Sequence, residues 1–427
     1  FTAHTSWLAL LRHPTRVNYL RLSGLRINIP PRQHQQTQKK PRKRKHHRFL
    51  SFVLGRVDAD GTVLTIFSSN PQKPPRVFTI SKLQLYSAGP KQAMSFHAIL
   101  TNPKPVGQIQ SGGKFGPWDA DDPSRTPVSG TYNFHNADLS TIHGLAGTLS
   151  SEGNYTGVLS LIKVSGKTDT PDFALGIGGQ PVDLKTEFHA VVNGMNGDTV
   201  LRPVDVQFLQ SSLRAHGGVF RTTGIKGTTV LLNVSSDHAR VEDLLRLAVK
   251  SKKPMMTGGV KLNVKFALPP GHQDIAERLN LGGDFGIRSA RFTNLKLEGK
   301  LTRLSRRGKG EHGRSHSINT AFNMKGHFAL NRGIMTFSAL SFEVPGASVN
   351  LHGTYALLSG GVDFHGQLRL QATLSQMTTG IKSFFLKALD PLFSKRGAGT
   401  VIPIKITGTR KRVSFGVDVG KMVGRLK

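Results

Sequence analysis

The stretch Val362-Asp-Phe-His-Gly-Gln-Leu-Arg-Leu-Gln-Ala-Thr-Leu374 alternates without a break. Val362, Phe364, Gly366, Leu368, Leu370, Ala372 and Leu374 leave one side; Asp363, His365, Gln367, Arg369, Gln371 and Thr373 leave the other. A period of two means an extended strand, because successive side chains point to opposite faces of a pleated backbone. At ~3.3 Å per residue the strand spans roughly 40 Å, about twice the usual length. One face is apolar and the other wet from end to end.

The pattern recurs on both sides of this stretch. Val260, Leu262, Val264, Phe266 and Leu268 alternate with Lys261, Asn263 and Lys265. Further strands are predicted at 17–29 (with a bulge at Ser23-Gly24), 49–56, 62–68, 76–86 and 92–100. An irregular Pro/Gly/Asp-rich connection is expected at 102–127. Strands resume at 129–134, 155–164, 172–178, 184–193, 203–209, 213–221 and 228–234. Beyond 260–268 they continue at 286–303, 317–330, 333–344, 347–357, 361–374, 400–407 and 412–419. Short helices are predicted at 6–12, at 237–249 with Ser236 or Asp237 as N-cap, at 272–280 and at 378–394. Turn sequences such as Asn331-Arg-Gly333 and Ser359-Gly-Gly361 join consecutive strands, so an antiparallel meander is expected.

These elements divide the chain into a helix-strand opening (1–30), a basic mobile loop (31–48) and an N-terminal β segment (49–128). A central β-groove segment (129–303), a second basic loop (304–316) and a C-terminal β segment (317–427) complete it. The predicted fold is mainly β: an elongated, twisted antiparallel meander curled into an open apolar groove, with a few short helices. Dry β-sandwiches are the competing arrangement, but they use shorter strands. Glycines inside the long strands (Gly299, Gly326, Gly353, Gly366) favour a sheet that bends.

Composition narrows the function. The 427 residues carry a formal charge of +33, 37% apolar residues and no cysteine. Disulfides, thiolate metal sites and cysteine nucleophiles are thereby excluded. No run of 18 apolar residues occurs, so no stretch reads as a membrane-spanning helix. The first residue is Phe1 and the opening reads as mid-protein, so a preceding anchor or signal is expected.

Catalytic motifs are poor. Ser165-Gly-Lys-Thr168 has the tail of a phosphate loop, but Leu161 replaces the first glycine, and a hairpin turn is expected instead. Asp58-Ala-Asp-Gly61 imitates the start of a calcium loop without its later ligands, and also reads as a turn. Trp118-Asp-Ala-Asp-Asp122 reads as a solvated acidic turn, and His46-His47 sits in a positive run that would repel metal. The chain is expected to be no enzyme and to need no cofactor or metal. The basic run Lys39, Lys40, Arg42, Lys43, Arg44, Lys45 and Arg48 fits a solvated loop, anionic lipid headgroups or a nucleic-acid arm. Scarce Tyr and Trp disfavour the last.

Leu8-Ala-Leu-Leu-Arg-His13 followed by Val17-Asn-Tyr-Leu-Arg-Leu-Ser-Gly-Leu-Arg-Ile27 resembles the opening of bacterial AsmA-like proteins. The end is similar to their C-terminal region: Gly353-Thr-Tyr-Ala-Leu-Leu-Ser-Gly-Gly-Val-Asp-Phe364, the Phe-rich helix to Phe393, Gly399-Thr-Val-Ile-Pro-Ile-Lys-Ile-Thr-Gly408 and Phe415-Gly416. Gly166-Lys-Thr-Asp-Thr-Pro-Asp-Phe173 resembles a recurring strand connection of the family. The resemblance implies an inner-membrane protein with one N-terminal anchor and a periplasmic body. Its implied function is bridge-like phospholipid transfer along a β-groove, or outer-membrane protein assembly. The sequence departs from the family pattern in its high positive charge and in opening after the expected anchor, as a truncated start would.

The expected function is therefore a non-enzymatic envelope protein that holds phospholipid acyl chains and bridges or shuttles lipid between inner and outer membranes. The expected lining is Val260, Leu262, Val264, Phe266, Val349, Leu351, Phe364, Leu368 and Leu370. Ile381, Phe384, Phe385, Leu392 and Phe393 form the stripe of a helix that plugs the groove or lies on a membrane. Lys39, Lys40, Arg42, Lys43, Arg44 and Lys45 would meet anionic headgroups. Envelope proteins are possible further partners. The alternatives are an assembly factor with a closed, dry sheet and, more distantly, a nucleic-acid binder.

Overall fold

The computed structural model describes residues 1–4, 15–29, 52–67, 75–89, 92–176, 178–221, 227–249, 253–309, 320–371, 401–410 and 412–418. They form a single 23-stranded sheet. The first strands are β1 (Thr2–His4), β2 (Thr15–Ser23), β3 (Arg26–Ile29), β4 (Phe52–Ile66), β5 (Arg76–Ala88), β6 (Met94–Pro103), β7 (Val106–Phe115) and β8 (Pro127–Asp138). A two-residue β9 (Leu145–Ala146) precedes β10 (Thr148–Val158), β11 (Leu161–Leu175), β12 (Val182–Val192), β13 (Thr199–Phe208), β14 (Ser211–Phe220) and β15 (Thr229–Arg240). The helix α1 (Val241–Ala248) leads to β16 (Met256–Leu268), and α2 (Ile275–Arg278) leads to β17 (Asn280–Phe292). After α3 (Leu295–Lys309) come β18 (Phe322–Asn331), β19 (Ile334–Val344), β20 (Ala347–Ala356), β21 (Gly361–Leu370), β22 (Val401–Thr409) and β23 (Arg412–Val417).

From β4 to β23 each strand pairs antiparallel with the next, apart from the short β9, which pairs only with β11. The opening departs from the expected meander, because β2 and β3 both lie parallel to β4. The break at Ser23-Gly24 separates them into two strands, and Gly24 N donates to Asp60 O at 3.0 Å. Strands β4 and β11 reach 15 residues each. The meander does not close into a barrel.

The curl is visible in side-chain contacts. Ile29, Ile66 and Leu159 form one buried cluster, packed by Phe115, Trp118 and Val128. Ile66 lies on β4, and Leu159 at the tip of the β10–β11 hairpin. In a flat sheet strands that far apart in the ladder would be ~24 Å from each other. Their contact makes the apolar face concave. A second crossing lies further along: Gly144, in the β8–β9 connection, is so near α2 that a β-carbon there would stand 3.1 Å from Ile275 N.

Helices seal one margin of the C-terminal half. Val241 of α1 and Leu301 of α3 join Ala239, Val260, Ile287, Ala290, Phe322, Val344, Ala347 and Leu370 in the largest buried cluster. Asp243 anchors α1 by accepting from Gln210 N at 3.0 Å and Ser211 Oγ at 2.8 Å. Ser305 ties α3 to the β19–β20 turn through Oγ donating to Pro345 O at 2.6 Å.

Several expectations are corrected. The predicted strand 286–303 ends at Phe292, and α3 takes over from Leu295, absorbing the start of the predicted loop 304–316. Glu298, Leu301 and Ser305 are its buried positions, spaced by three and four, and that helical period wins over the alternation. Helix 237–249 begins only at Val241, because β15 runs on to Arg240; Ser236 donates to Ser212 O instead of capping. The connection 102–127 contains β7. The predicted strand 155–164 is a hairpin turning at Leu159-Ser160.

Asp58–Gly61 is no turn: β4 pairs with β5 on both sides of it. Ser165–Thr168 is likewise mid-strand in β11, with partners on β10 and β12. Ladder pairing on both flanks overrides the local turn preference in each case. The predicted helices 6–12 and 378–394 and the basic run 39–48 lie outside the described residues.

Candidate functional site

Residues paired across a ladder share a face. One such row can be traced through nearly the whole sheet. It runs Leu22–Ala59–Leu83–Ala98–Ser111–Tyr132–Gly153–Gly166–Phe188–Val204. It continues Ala215–Val234–Val264–Gly283–Phe328–Phe337–Gly353–Phe364–Ile406–Phe415. Only Ser111 and Tyr132 carry a polar atom. At ~4.8 Å per step, the row is roughly 90 Å long.

A companion row on the other face is polar. It passes through Asn133, Glu152, Lys167, Glu187, Asp205, Arg214, Ser235, Asn263, Asp284 and His327. Its charges pair across strands, as in Arg214–Asp205 at 2.8 Å and Lys167–Glu187 at 3.8 Å, and His327 Nδ1 lies 2.9 Å from Asp284 Oδ1. Exposed pairs of this kind add little stability, about 0–1 kcal/mol each. They keep the convex face wet and the sheet in register.

The expected lining falls on the apolar row or on its parallel neighbours. Val260 and Leu370 are in the helix-sealed cluster, with Leu262 and Leu368 packed against it. Val264, Phe266, Val349, Leu351 and Phe364 are only partly buried. Lys261, Lys265, Arg369 and Gln371 are exposed, as the alternation requires. Ile381, Phe384, Phe385, Leu392 and Phe393 lie outside the described residues, as do Lys39, Lys40, Arg42, Lys43, Arg44 and Lys45.

Phenylalanines floor the C-terminal part. Phe285, Phe328 and Phe337 lie 6.1–6.4 Å apart between centroids, and Phe337 lies 5.6 Å from Phe364. Each has glycine as a ladder partner: Gly326 for Phe285, Gly283 for Phe328, Gly353 for Phe337 and Phe364. The Phe285 ring leans over the backbone at Gly326, and the four rings also contact one another. The result is an aromatic floor whose rings stay partly exposed on the concave face.

A hydroxyl belt interrupts this surface over β7–β12, and sequence reasoning misses it. Tyr155 Oη lies 2.8 Å from Ser111 Oγ, Tyr132 Oη 3.2 Å from Ser151 Oγ, and Thr168 Oγ1 2.7 Å from Thr186 Oγ1. Burial raises the pKa of both tyrosines above the usual phenol value, since it disfavours the phenolate. The belt is therefore neutral and satisfies its own hydrogen bonds. Its signal in the sequence is Gly130, Tyr132, Ser151, Gly153 and Tyr155 on the alternating positions, where apolar residues stand elsewhere.

The weaker motif candidates have local duties. Asp58 accepts from Arg56 Nε at 3.0 Å, Gln84 Nε2 at 3.2 Å and Tyr19 Oη at 3.2 Å, joining β2, β4 and β5. Asp119 Oδ1 accepts from Asp121 N and Asp122 N, and Asp122 Oδ1 from Ser124, so these carboxylates hold a backbone turn. Among the described residues no group of three His, Asp or Glu is placed to hold a metal ion.

No protein-family model, curated protein or solved structure matches the chain. The geometry of the groove is therefore what a functional reading can stand on.

Among the described residues, the buried large apolar side chains gather mainly at the helix-sealed margin and the Ile66–Leu159 bridge, while most of the apolar row between them is half-buried. A closed core of this many strands would hide that row as well. The apolar surface is instead presented half-covered along a concave path, bridged at Ile66–Leu159 and near Gly144–Ile275. No described helix is long and apolar enough to cross a membrane.

Proposed function

We propose that this protein is a non-enzymatic lipid carrier whose concave β-sheet holds phospholipid acyl chains. One observation carries the reading: a row that is apolar on both sides of the hydroxyl belt runs from β2 to β23, and most of its side chains are only half-buried. Apolar area left uncovered over such a length calls for an apolar occupant, because each methylene moved from water into it gains ~0.8 kcal/mol. A chain of a dozen or more methylenes then recovers much of the free energy lost on leaving a bilayer. Headgroups stay at the margins, where Lys and Arg meet phosphate.

The AsmA-like resemblance and this groove support a carrier in a bacterial envelope, on the periplasmic side of the inner membrane. Its role there would be to bridge or shuttle phospholipid toward the outer membrane. The test is a paired substitution, Val264→Asp with Leu351→Asp, at two half-buried positions outside the helix-sealed cluster. A lipid carrier keeps a β-rich circular dichroism spectrum and loses the phospholipid that mass spectrometry finds on the parent protein. Loss of fold in this variant, or a parent protein that holds no phospholipid, would instead favour the dry assembly factor.

A further inference from the structure

Cationic and apolar side chains converge at one margin of the sheet, opposite the one sealed by α1 and α3. The β18–β19, β20–β21 and β22–β23 turns lie side by side there. Leu357 N donates to Gly333 O and Arg410 N to Gly360 O, both at 2.8 Å. Arg332, Arg410 and Arg412 are exposed on these tips. Leu358 is 71% exposed, Phe415 69% and Ile334 49%. Strands β18–β23 carry just two carboxylates, and both have partners: Asp363 lies 3.1 Å from His365 and Glu343 3.8 Å from Lys325.

We infer that these three tips form a docking surface for an anionic phospholipid bilayer. Guanidinium groups suit lipid phosphate because they donate in a planar fork. Leu358 in the β20–β21 turn and Ile334 at the foot of the β18–β19 turn are isolated large apolar side chains that suit the interface between headgroups and acyl chains, where each can bury without a protein pocket. The charge of the tips fits this partner, since they carry Arg332, Arg410 and Arg412 and no carboxylate among the described residues. An acidic protein would satisfy the arginines but leaves Leu358 and Ile334 with no shaped counterpart. The Phe364–Ile406–Phe415 end of the apolar row reaches solvent on the last strand, next to the β22–β23 tip. Docking itself does not require the lipid-carrier reading; only the later passage of acyl chains from that bilayer into the groove rests on it.

Co-flotation of the full chain with vesicles tests it. The vesicles are equal parts phosphatidylglycerol and phosphatidylcholine, or phosphatidylcholine alone. Binding to the anionic vesicles is expected, weakening with added salt. Arg410→Gln with Arg412→Gln should weaken it at least about tenfold, given the usual contribution of each basic residue near an anionic surface. Leu358→Ser with Ile334→Ser, two positions outside the apolar row, should reduce binding to both vesicle types. A third variant neutralises Lys39, Lys40, Arg42, Lys43, Arg44 and Lys45, and should keep most of the binding. Unchanged binding in the tip variants, or complete loss in the third variant, overturns the inference. Bound phospholipid is measured on the same preparations. Docking lost with cargo retained supports the surface, whereas a parent protein that docks but holds no cargo overturns the carrier reading alone.

Discussion

Phe285 and Gly326 stand opposite each other across β17 and β18, and the phenyl ring fills the space a side chain at 326 would need. A β-carbon there would lie 2.9 Å from Phe285 Cε1 and 2.9 Å from Ala339 O. Gly326→Val should therefore destabilise the sheet by about 1–3 kcal/mol, the usual cost of overpacking. On the wet face, Gly286 has nothing within 4 Å of an added β-carbon. Gly286→Ala should be neutral or stabilising by up to ~1 kcal/mol. Urea denaturation of the two variants checks the contrast.

Asp243 holds α1 to the β13–β14 turn through its hydrogen bonds with Gln210 N and Ser211 Oγ, and it is 7% exposed. Asp243→Ala leaves the buried Ser211 hydroxyl and the Gln210 amide without their acceptor, at a cost of about 1–3 kcal/mol. Hydrogen exchange should show the loss concentrated in α1 and the adjoining ends of β13 and β14.

Asp58 has its pKa lowered, first through the hydrogen bond from Arg56, with Gln84 and Tyr19 adding to it. A carboxyl held below its unfolded value stabilises the fold above that value, near 3.8, and the contribution is lost as pH falls through the folded pKa. Asp58→Asn should thus be less stable than the parent near neutral pH. The gap should narrow below about pH 4. Melting curves at both pH values test the sign.

Tyr132 and Tyr155 shift the other way. Their raised pKa values mean stability that is complete below the unfolded phenol value of 10.0 and is lost as pH rises through the folded values. An ultraviolet titration should show a late-ionising component that disappears in Tyr132→Phe with Tyr155→Phe. The same variant removes two hydroxyls from the belt, so a groove filled by acyl chains should tolerate it and keep its phospholipid.

Strand character, face assignment and the polar convex side are all legible in the sequence. They depend on alternation alone, and a pleated backbone has no choice about which way successive side chains point. That is why Val264 and Leu351 fall on one face while Lys265 and Asn350 fall on the other, although the two pairs are far apart in the chain. Alternation also misleads, because Leu295, Leu297 and Leu301 continue the rhythm of β17 into what is helix α3. Period two and period 3.6 coincide over so few residues, and only the packing of Leu301 with Val344 and Leu370 separates them. The parallel placement of β2 and β3 on β4, the curl that brings Ile66 to Leu159, and the meeting of Tyr155 with Ser111 were decided by tertiary structure alone. Each depends on the register and twist accumulated over several strands, and those quantities are properties of the assembled sheet that no local run of residues encodes.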